Sequence, residues 1–146
     1  MTYVSTRLPK LPLQARPPAA SASFTVERLT SPDAVVVTFT GVLTIEVFLA
    51  AVRAVYRHPE HSTLDSIWDY SRLDDRAVLD PEDVTRARTF LPQMRPDERS
   101  GRTVFVVGGP NLEFMIELYR YLQRTSSRRY DLVRRREDAL ALLRKN

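Results

Sequence analysis

Apolar positions along this chain recur with two periods, and the changes between them mark out the elements. From Ser23, Phe24, Val26 and Arg28 alternate with polar residues, the period of a half-buried strand. Ser31-Pro32-Asp33 is turn chemistry. Ala34 to Thr40 is β-branched and apolar on both faces, the mark of a central strand that pairs with the first as a hairpin. Gly41 ends it. Thr44 then predicts a helix cap, and Ile45, Phe48, Leu49, Val52 and Tyr56 follow as one helical face. His58-Pro59 closes that helix, because the residue before proline avoids the helical region. Leu64 to Tyr70 reads as the third strand.

The second half of the chain alternates the same two patterns. Asp80-Pro81-Glu82-Asp83 opens a helix, with Asp80 as cap, Pro81 in the first turn and two acids at the positive end of the dipole. Val84, Ala87 and Leu91 mark its buried side, and Pro92 is expected to close it. Thr103 to Val107 is a buried strand, Asn111 to Arg124 a long helix, Tyr130 to Val133 a short strand and Glu137 to Lys145 a last helix. The order β-β-α-β-α-β-α-β-α predicts an α/β fold: a mixed, mostly parallel sheet of about five strands covered by helices.

Residues 1–22 break both periods. Pro9, Pro12, Pro17 and Pro18 stand among Ala and Ser, and the segment is expected to be a disordered, basic, proline-rich tail before a single domain at 23–146. Pro9-Lys10-Leu11-Pro12 has the form of a PxxP ligand, but that short pattern recurs by chance.

Composition changes this picture little. The 146 residues include no cysteine, which excludes disulfides and thiolate metal sites. No apolar run approaches the roughly 20 residues that span a bilayer, and Arg7 and Lys10 are followed by no secretory apolar stretch. The expected location is cytoplasmic, with no membrane span. Charge changes it more. The net charge is +4, yet residues 23–117 carry an acidic excess and residues 118–146 a basic one. Such a polar domain orients its encounter with a charged partner.

Several residue groups carry candidate chemistry. Asp69 and Ser71 close the third strand, and Gly108 and Gly109 lead from the fourth strand into the long helix. Ends of parallel strands point into ligand crevices, so these four form a candidate strand-end site. Asp69 has no visible catalytic partner. Gly108-Gly109-Pro110-Asn111 reads first as a tight turn. Its free N–H groups could hold an anion, but no GxGxxG pattern or P-loop lysine accompanies it. Asp65, Asp69, Asp74, Asp75, Asp80, Glu82 and Asp83 crowd the middle of the chain without EF-hand spacing, and read as a solvated loop face with one or two caps. His58 and His61 flank Glu60 but lack the further ligands a zinc site needs. No metal, cofactor or catalytic residue is assigned.

On the long helix, Leu112, Met115, Ile116, Tyr119 and Leu122 form one apolar face, and Phe114, Leu118 and Tyr121 a second stripe. One face suffices to cover a sheet. The second stripe is either core or a surface for a partner, a second copy or an apolar ligand, with Arg120 and Arg124 as its polar rim. Arg124, Arg128, Arg129, Arg134, Arg135 and Arg136 would attract nucleic acid. No nucleic-acid motif accompanies them, and charges also protect sheet edges. Nucleic acid is therefore not an expected partner.

A set of local patterns is similar to the SpoIIAA-like family, small bacterial STAS-type domains grouped with the Sec14-like fold. They are Gly41-Val42-Leu43-Thr44 opening the first helix, His58-Pro59 closing it, and Ile67-Trp68-Asp69 in the third strand. Gly101-Arg102-Thr103-Val104-Phe105-Val106-Val107, Glu113-Phe114-Met115 and Asp138-Ala139-Leu140-Ala141-Leu142-Leu143 continue the likeness. The resemblance implies a SpoIIAA-like fold and a non-enzymatic regulatory or protein-interaction role, with an unidentified protein partner or a homodimer. The Sec14 grouping implies the alternative, a small carrier of apolar ligands or lipids. STAS regulators that switch by serine phosphorylation carry an Asp-aliphatic-Ser strand end, which Asp69-Tyr70-Ser71 resembles. Their phosphorylated position falls here near Val78 or Leu79, neither of which has a hydroxyl, so the resemblance does not extend to the switch.

Overall fold

The computed structural model describes residues 2–5, 23–76, 81–94, 101–124 and 128–145. Strand β1 spans Thr2–Ser5, β2 Ser23–Thr30 and β3 Asp33–Thr40, followed by α1 at Ile45–Tyr56 and a 3-10 turn at Pro59–Thr63. Then come β4 (Asp65–Asp69), α2 (Pro81–Met94), β5 (Arg102–Val106), α3 (Pro110–Leu122), β6 (Arg129–Val133) and α4 (Arg136–Arg144). The six strands lie side by side in sequence order. The pairs β1–β2 and β2–β3 are antiparallel, while β3–β4, β4–β5 and β5–β6 are parallel. The fold is the expected α/β arrangement with a mixed sheet.

Two expectations are corrected. The tail was expected to be disordered throughout 1–22, but Thr2–Ser5 pairs with β2, from Thr2 opposite Glu27 to Ser5 opposite Phe24. Thr-Tyr-Val-Ser is strand-prone and lies before the first proline. It satisfies backbone groups that β2 would otherwise present along an edge, and it brings the sheet to six strands. Residues 6–22 lie outside the described residues. In α2, Pro92 does not close the helix, which runs on to Met94. In the final turn a proline forfeits one backbone bond but keeps helical φ. The predicted cap Asp80 lies outside the described residues.

Three parallel crossovers advance in one direction along the sheet, β3 to β4 to β5 to β6. A common handedness then puts α1, α2 and α3 on one face. That face is the main core. Phe24 and Val26 of β2, Val35, Val37 and Phe39 of β3, Trp68 of β4 and Phe105 of β5 pack there under Val47, Val52, Val55, Val84, Leu112, Met115 and Tyr119. Rings run across the sheet, with Phe39 stacked on Tyr70 at 5.1 Å between centroids and Phe105 on Tyr130 at 6.1 Å. Thr44 caps α1 as predicted, its hydroxyl accepting from Val47 N at 3.3 Å.

The opposite face is smaller and aliphatic. Ala34, Val36, Ile67, Val104 and Val106 meet buried Ala139 and Leu143 of the nine-residue α4, with half-buried Leu140 and Leu142 beside them. Two buried side chains in that contact are a weak anchor, and polar clamps at both ends of α4 supplement it. Arg136, its first residue, reaches Asp69 and Thr38. At its other end Arg102 Nη1 donates to the Leu142 carbonyl at 3.2 Å, where a cation suits the helix dipole.

Candidate functional site

Thr38 and Asp69 stand opposite one another in the β3–β4 register, at the carboxyl ends of two parallel strands and on the α4 face. Asp69 is 2% exposed. Its Oδ1 accepts from Ser71 N at 2.9 Å and from the Ser71 hydroxyl at 2.6 Å. Its Oδ2 accepts from Arg136 Nε at 3.0 Å, and Arg136 Nη2 donates to the Thr38 hydroxyl at 2.5 Å. A buried carboxylate needs a counter-charge and filled lone pairs, and this one has both. The cluster holds the β4 exit and the start of α4 in fixed relation.

The four predicted strand-end residues are brought together. Gly108 runs so close to Ser71 that a Cβ there would lie 3.1 Å from the Ser71 carbonyl oxygen, and a Cβ on Gly109 would collide with the Asp75 carboxylate. That carboxylate occupies the anion position at the start of α3. Its oxygens accept from Asn111 N at 3.1 Å and Leu112 N at 3.0 Å, and the Asn111 amide donates to the Asp75 carbonyl at 3.1 Å. The free N–H groups that could hold an external anion therefore hold Asp75. Asp75 is thus a remote cap of α3, within an acidic stretch that was expected to be a solvated loop face with one or two caps.

At the opposite end of the strands lies a second polar cluster that the sequence reading missed. Arg128 is buried. It donates to the Thr103 hydroxyl and the Leu64 carbonyl at 2.7 Å each, and to the Ser62 and Arg102 carbonyls at 3.3 Å. Gly101, at φ +91, clears this guanidinium, since a Cβ there would lie 2.7 Å from Arg128 Nη1. Beside it, Arg102 Nε lies 2.9 Å from Asp131 Oδ2 without the alignment of a hydrogen bond.

The basic quarter is consequently not a free cationic stripe. Arg128 is inside, Arg136 pairs with Asp69, Arg134 with Glu113, and Arg135 with Glu137 and Asp138. The two histidine rings lie 5.2 Å apart. His61 Nδ1 is 2.6 Å from the Val55 carbonyl, and burial is the main cause that holds its pKa below the usual histidine range. Among the described residues no three His, Asp or Glu side chains gather around a common point.

The predicted second stripe of α3 divides. Phe114 and Tyr121 are the large hydrophobic side chains left exposed among the described residues, at 65% and 59%. Leu118, expected on the same surface, is half-buried against the main core. Arg120 pairs with Glu117. Arg124 lies over the Tyr121 ring at 4.1 Å and donates to the Tyr121 carbonyl at 2.9 Å. Beneath α1, α2 and α3 is an apolar cavity of about 60 Å³, lined by rings that include Trp68, Tyr70, Phe105, Tyr119 and Tyr130. Burial raises the Tyr70 phenol pKa well above its ordinary value.

Neither a family model nor a curated protein matches the chain. Among solved structures, it is similar to an uncharacterised protein of the DUF3478 family with a SpoIIAA-like fold from Shewanella loihica PV-4. The two share 14% identity over 89% of this chain and 99% of the other, with a TM-score of 0.59. The chain has a SpoIIAA-like fold.

Within the SpoIIAA-like fold, Asp69-Tyr70-Ser71 sits where the resemblance put it, at the exit of β4. Val78 and Leu79, near which the resemblance put the phosphorylated position of STAS regulators, lie outside the described residues. Arg136 and Thr38 were not legible as partners of Asp69. Their contacts join residues from three separate elements, and no short spacing signals them. Among the described residues no helix is long and apolar enough to cross a membrane.

Proposed function

We propose that this SpoIIAA-like domain is a non-enzymatic, regulatory protein-interaction domain of the cytoplasm, and that it meets its partner through the outer face of α3. The observation that carries this reading is the pair of exposed rings, Phe114 and Tyr121, on one helix whose other face is fully used in the core. Exposed aromatic side chains with arginine beside them have the composition of interface anchors. The strand-end cluster supports the non-enzymatic part. Asp69, Ser71, Arg136 and Thr38 are engaged with one another, an arrangement that suits structure better than turnover.

The test is native mass spectrometry of the full chain purified from its own host, beside the Phe114→Ser/Tyr121→Ser variant. A complex with a second protein or a second copy is expected for the wild type and lost in the variant, whose melting temperature is unchanged. A wild type that stays monomeric and unaccompanied at every concentration contradicts the reading.

The apolar cavity favours a second reading, a carrier of small apolar molecules. Its volume of about 60 Å³ is well below the roughly 300–1,000 Å³ of ordinary ligand sites. A carrier would need α2 or α3 to move outward. Solvent extraction of the purified protein should then release one apolar molecule per chain.

A further inference from the structure

At the end of α3, with exposed Tyr121 in its wall, lies an open cleft of about 400 Å³ lined by Glu117, Arg120, Tyr121, Gln123, Arg124, Arg128 and Tyr130. Its charge is one-sided, three arginines against one glutamate. Glu117 is already paired with Arg120, and Arg128 is buried in bonds to carbonyl and hydroxyl oxygens. Arg124 uses one N–H on the Tyr121 carbonyl and Arg120 one on Glu117. A guanidinium carries several further donors in a fork that matches a carboxylate. Both side chains therefore retain donors at a rim that is open to a ligand.

Arg124 has a second feature. Its guanidinium is stacked on the Tyr121 ring, which holds it in a defined position and lowers the entropy lost when it grips an anion. Phe114 stands two turns earlier on the same helix and leaves an apolar landing place beyond the cleft. The surface thus pairs a preset cationic fork at one end with an exposed ring at the other.

Resting on the interaction reading above, we infer that the partner segment is acidic: an extended or helical peptide that sets a Glu or Asp carboxylate on Arg120 and Arg124 and an apolar side chain against Phe114 and Tyr121. An anionic membrane surface would also attract arginines and rings. The cleft is concave, however, and exposed Glu117 stands between Phe114 and Tyr121 on the helix. Against a bilayer that carboxylate would be pressed into like-charged headgroups, whereas beside a peptide it remains at a solvated rim.

The test is selection of a random dodecapeptide display library on the full chain, followed by titration of the best synthetic peptide. The expected peptides carry Asp or Glu near an aromatic or aliphatic residue. Their affinity should fall at least about tenfold in Arg120→Glu/Arg124→Glu, as expected for loss of charge-assisted bonds, and should weaken steadily with added salt. Peptides without acids that bind the charge-reversed protein equally well, yet lose binding in Phe114→Ser/Tyr121→Ser, would overturn the acidic-partner inference and leave the interaction face standing. If no peptide is enriched and phosphatidylserine vesicles bind instead, the inference is overturned in favour of a membrane. If neither peptides nor vesicles bind, both the inference and the interaction face fail.

Discussion

The carboxyl end of the parallel strands and the outer face of α3 offer opposite answers to the same question, what a surface does with its polar and apolar groups. At the strand end, where open α/β sheets usually leave a ligand crevice, each conspicuous group is matched from within. Asp69 has Arg136 and Ser71, and the start of α3 has Asp75. On α3, among the described residues, the Phe114 and Tyr121 rings stay exposed, and Arg120 and Arg124 spend only part of their donors on Glu117 and the Tyr121 carbonyl. The place where fold-level habit directs attention is closed by the chain's own side chains, and the surface that a sheet-covering helix should keep polar is not. The proposed function rests on the second of these surfaces.

Breaking the strand end should have the largest effect on stability. Asp69→Ala removes the counter-charge of Arg136 and the acceptor of two Ser71 donors, and is expected to cost about 2–3 kcal/mol. The figure lies at the low end for buried pairs because Arg136 is about one-third exposed and can regain water. Arg136→Leu is expected to cost at least as much, since it leaves the carboxylate buried without its cation. Urea titration of both variants checks the order. Equal and negligible losses would mean the strand end is an open site after all.

The cap on α3 should rank next. Asp75→Ala exposes the first backbone donors of α3 and is expected to cost about 1–2 kcal/mol. Gly109→Ala places a methyl where the Asp75 carboxylate lies, so it should also destabilise. The two changes should not add, because removing the carboxylate clears the space for the methyl. A double-mutant cycle by thermal melting measures this coupling. Strict additivity would show that the carboxylate sits elsewhere in solution.

A smaller effect belongs to pH. Burial holds the pKa of folded His61 below the 6.5 of a free histidine. The unfolded chain therefore takes up a proton first as pH falls below that value. The stabilisation tied to the neutral ring is complete above pH 6.5 and is lost as pH drops through the lowered folded pKa. Melting temperature should decline between pH 7 and pH 5, and His61→Asn should flatten part of that slope. An unchanged slope in the variant would assign it to carboxylates.

How much of this was legible in the chain depended on distance along it. The strands and helices from Ser23 onward could be read because period is a local property, and Thr44 as a cap sits three residues from the N–H it binds. Asp69 with Ser71 was visible as a site for the same reason. Asp75 was not, since its partners are 36 and 37 residues away, and Arg136 lies 67 residues from Asp69. A run of arginines gives no sign of which one turns inward, so Arg128 was read as surface. Helical spacing put Leu118 with Phe114 and Tyr121. Packing against the main core takes in Leu118 and leaves Phe114 and Tyr121 outside, a difference that spacing alone does not signal. Thr2–Ser5 has strand propensity but is too short to stand out from the prolines that follow.

The difference between the two regions is tested most directly by urea unfolding of Phe114→Ser/Tyr121→Ser beside the wild type. If α3's outer face is free in the isolated subunit, the double variant should lose no more than about 0.5 kcal/mol, the ordinary range for exposed positions. A loss of roughly 3 kcal/mol or more, the scale of truncated core side chains, would place both rings in the core and contradict the account.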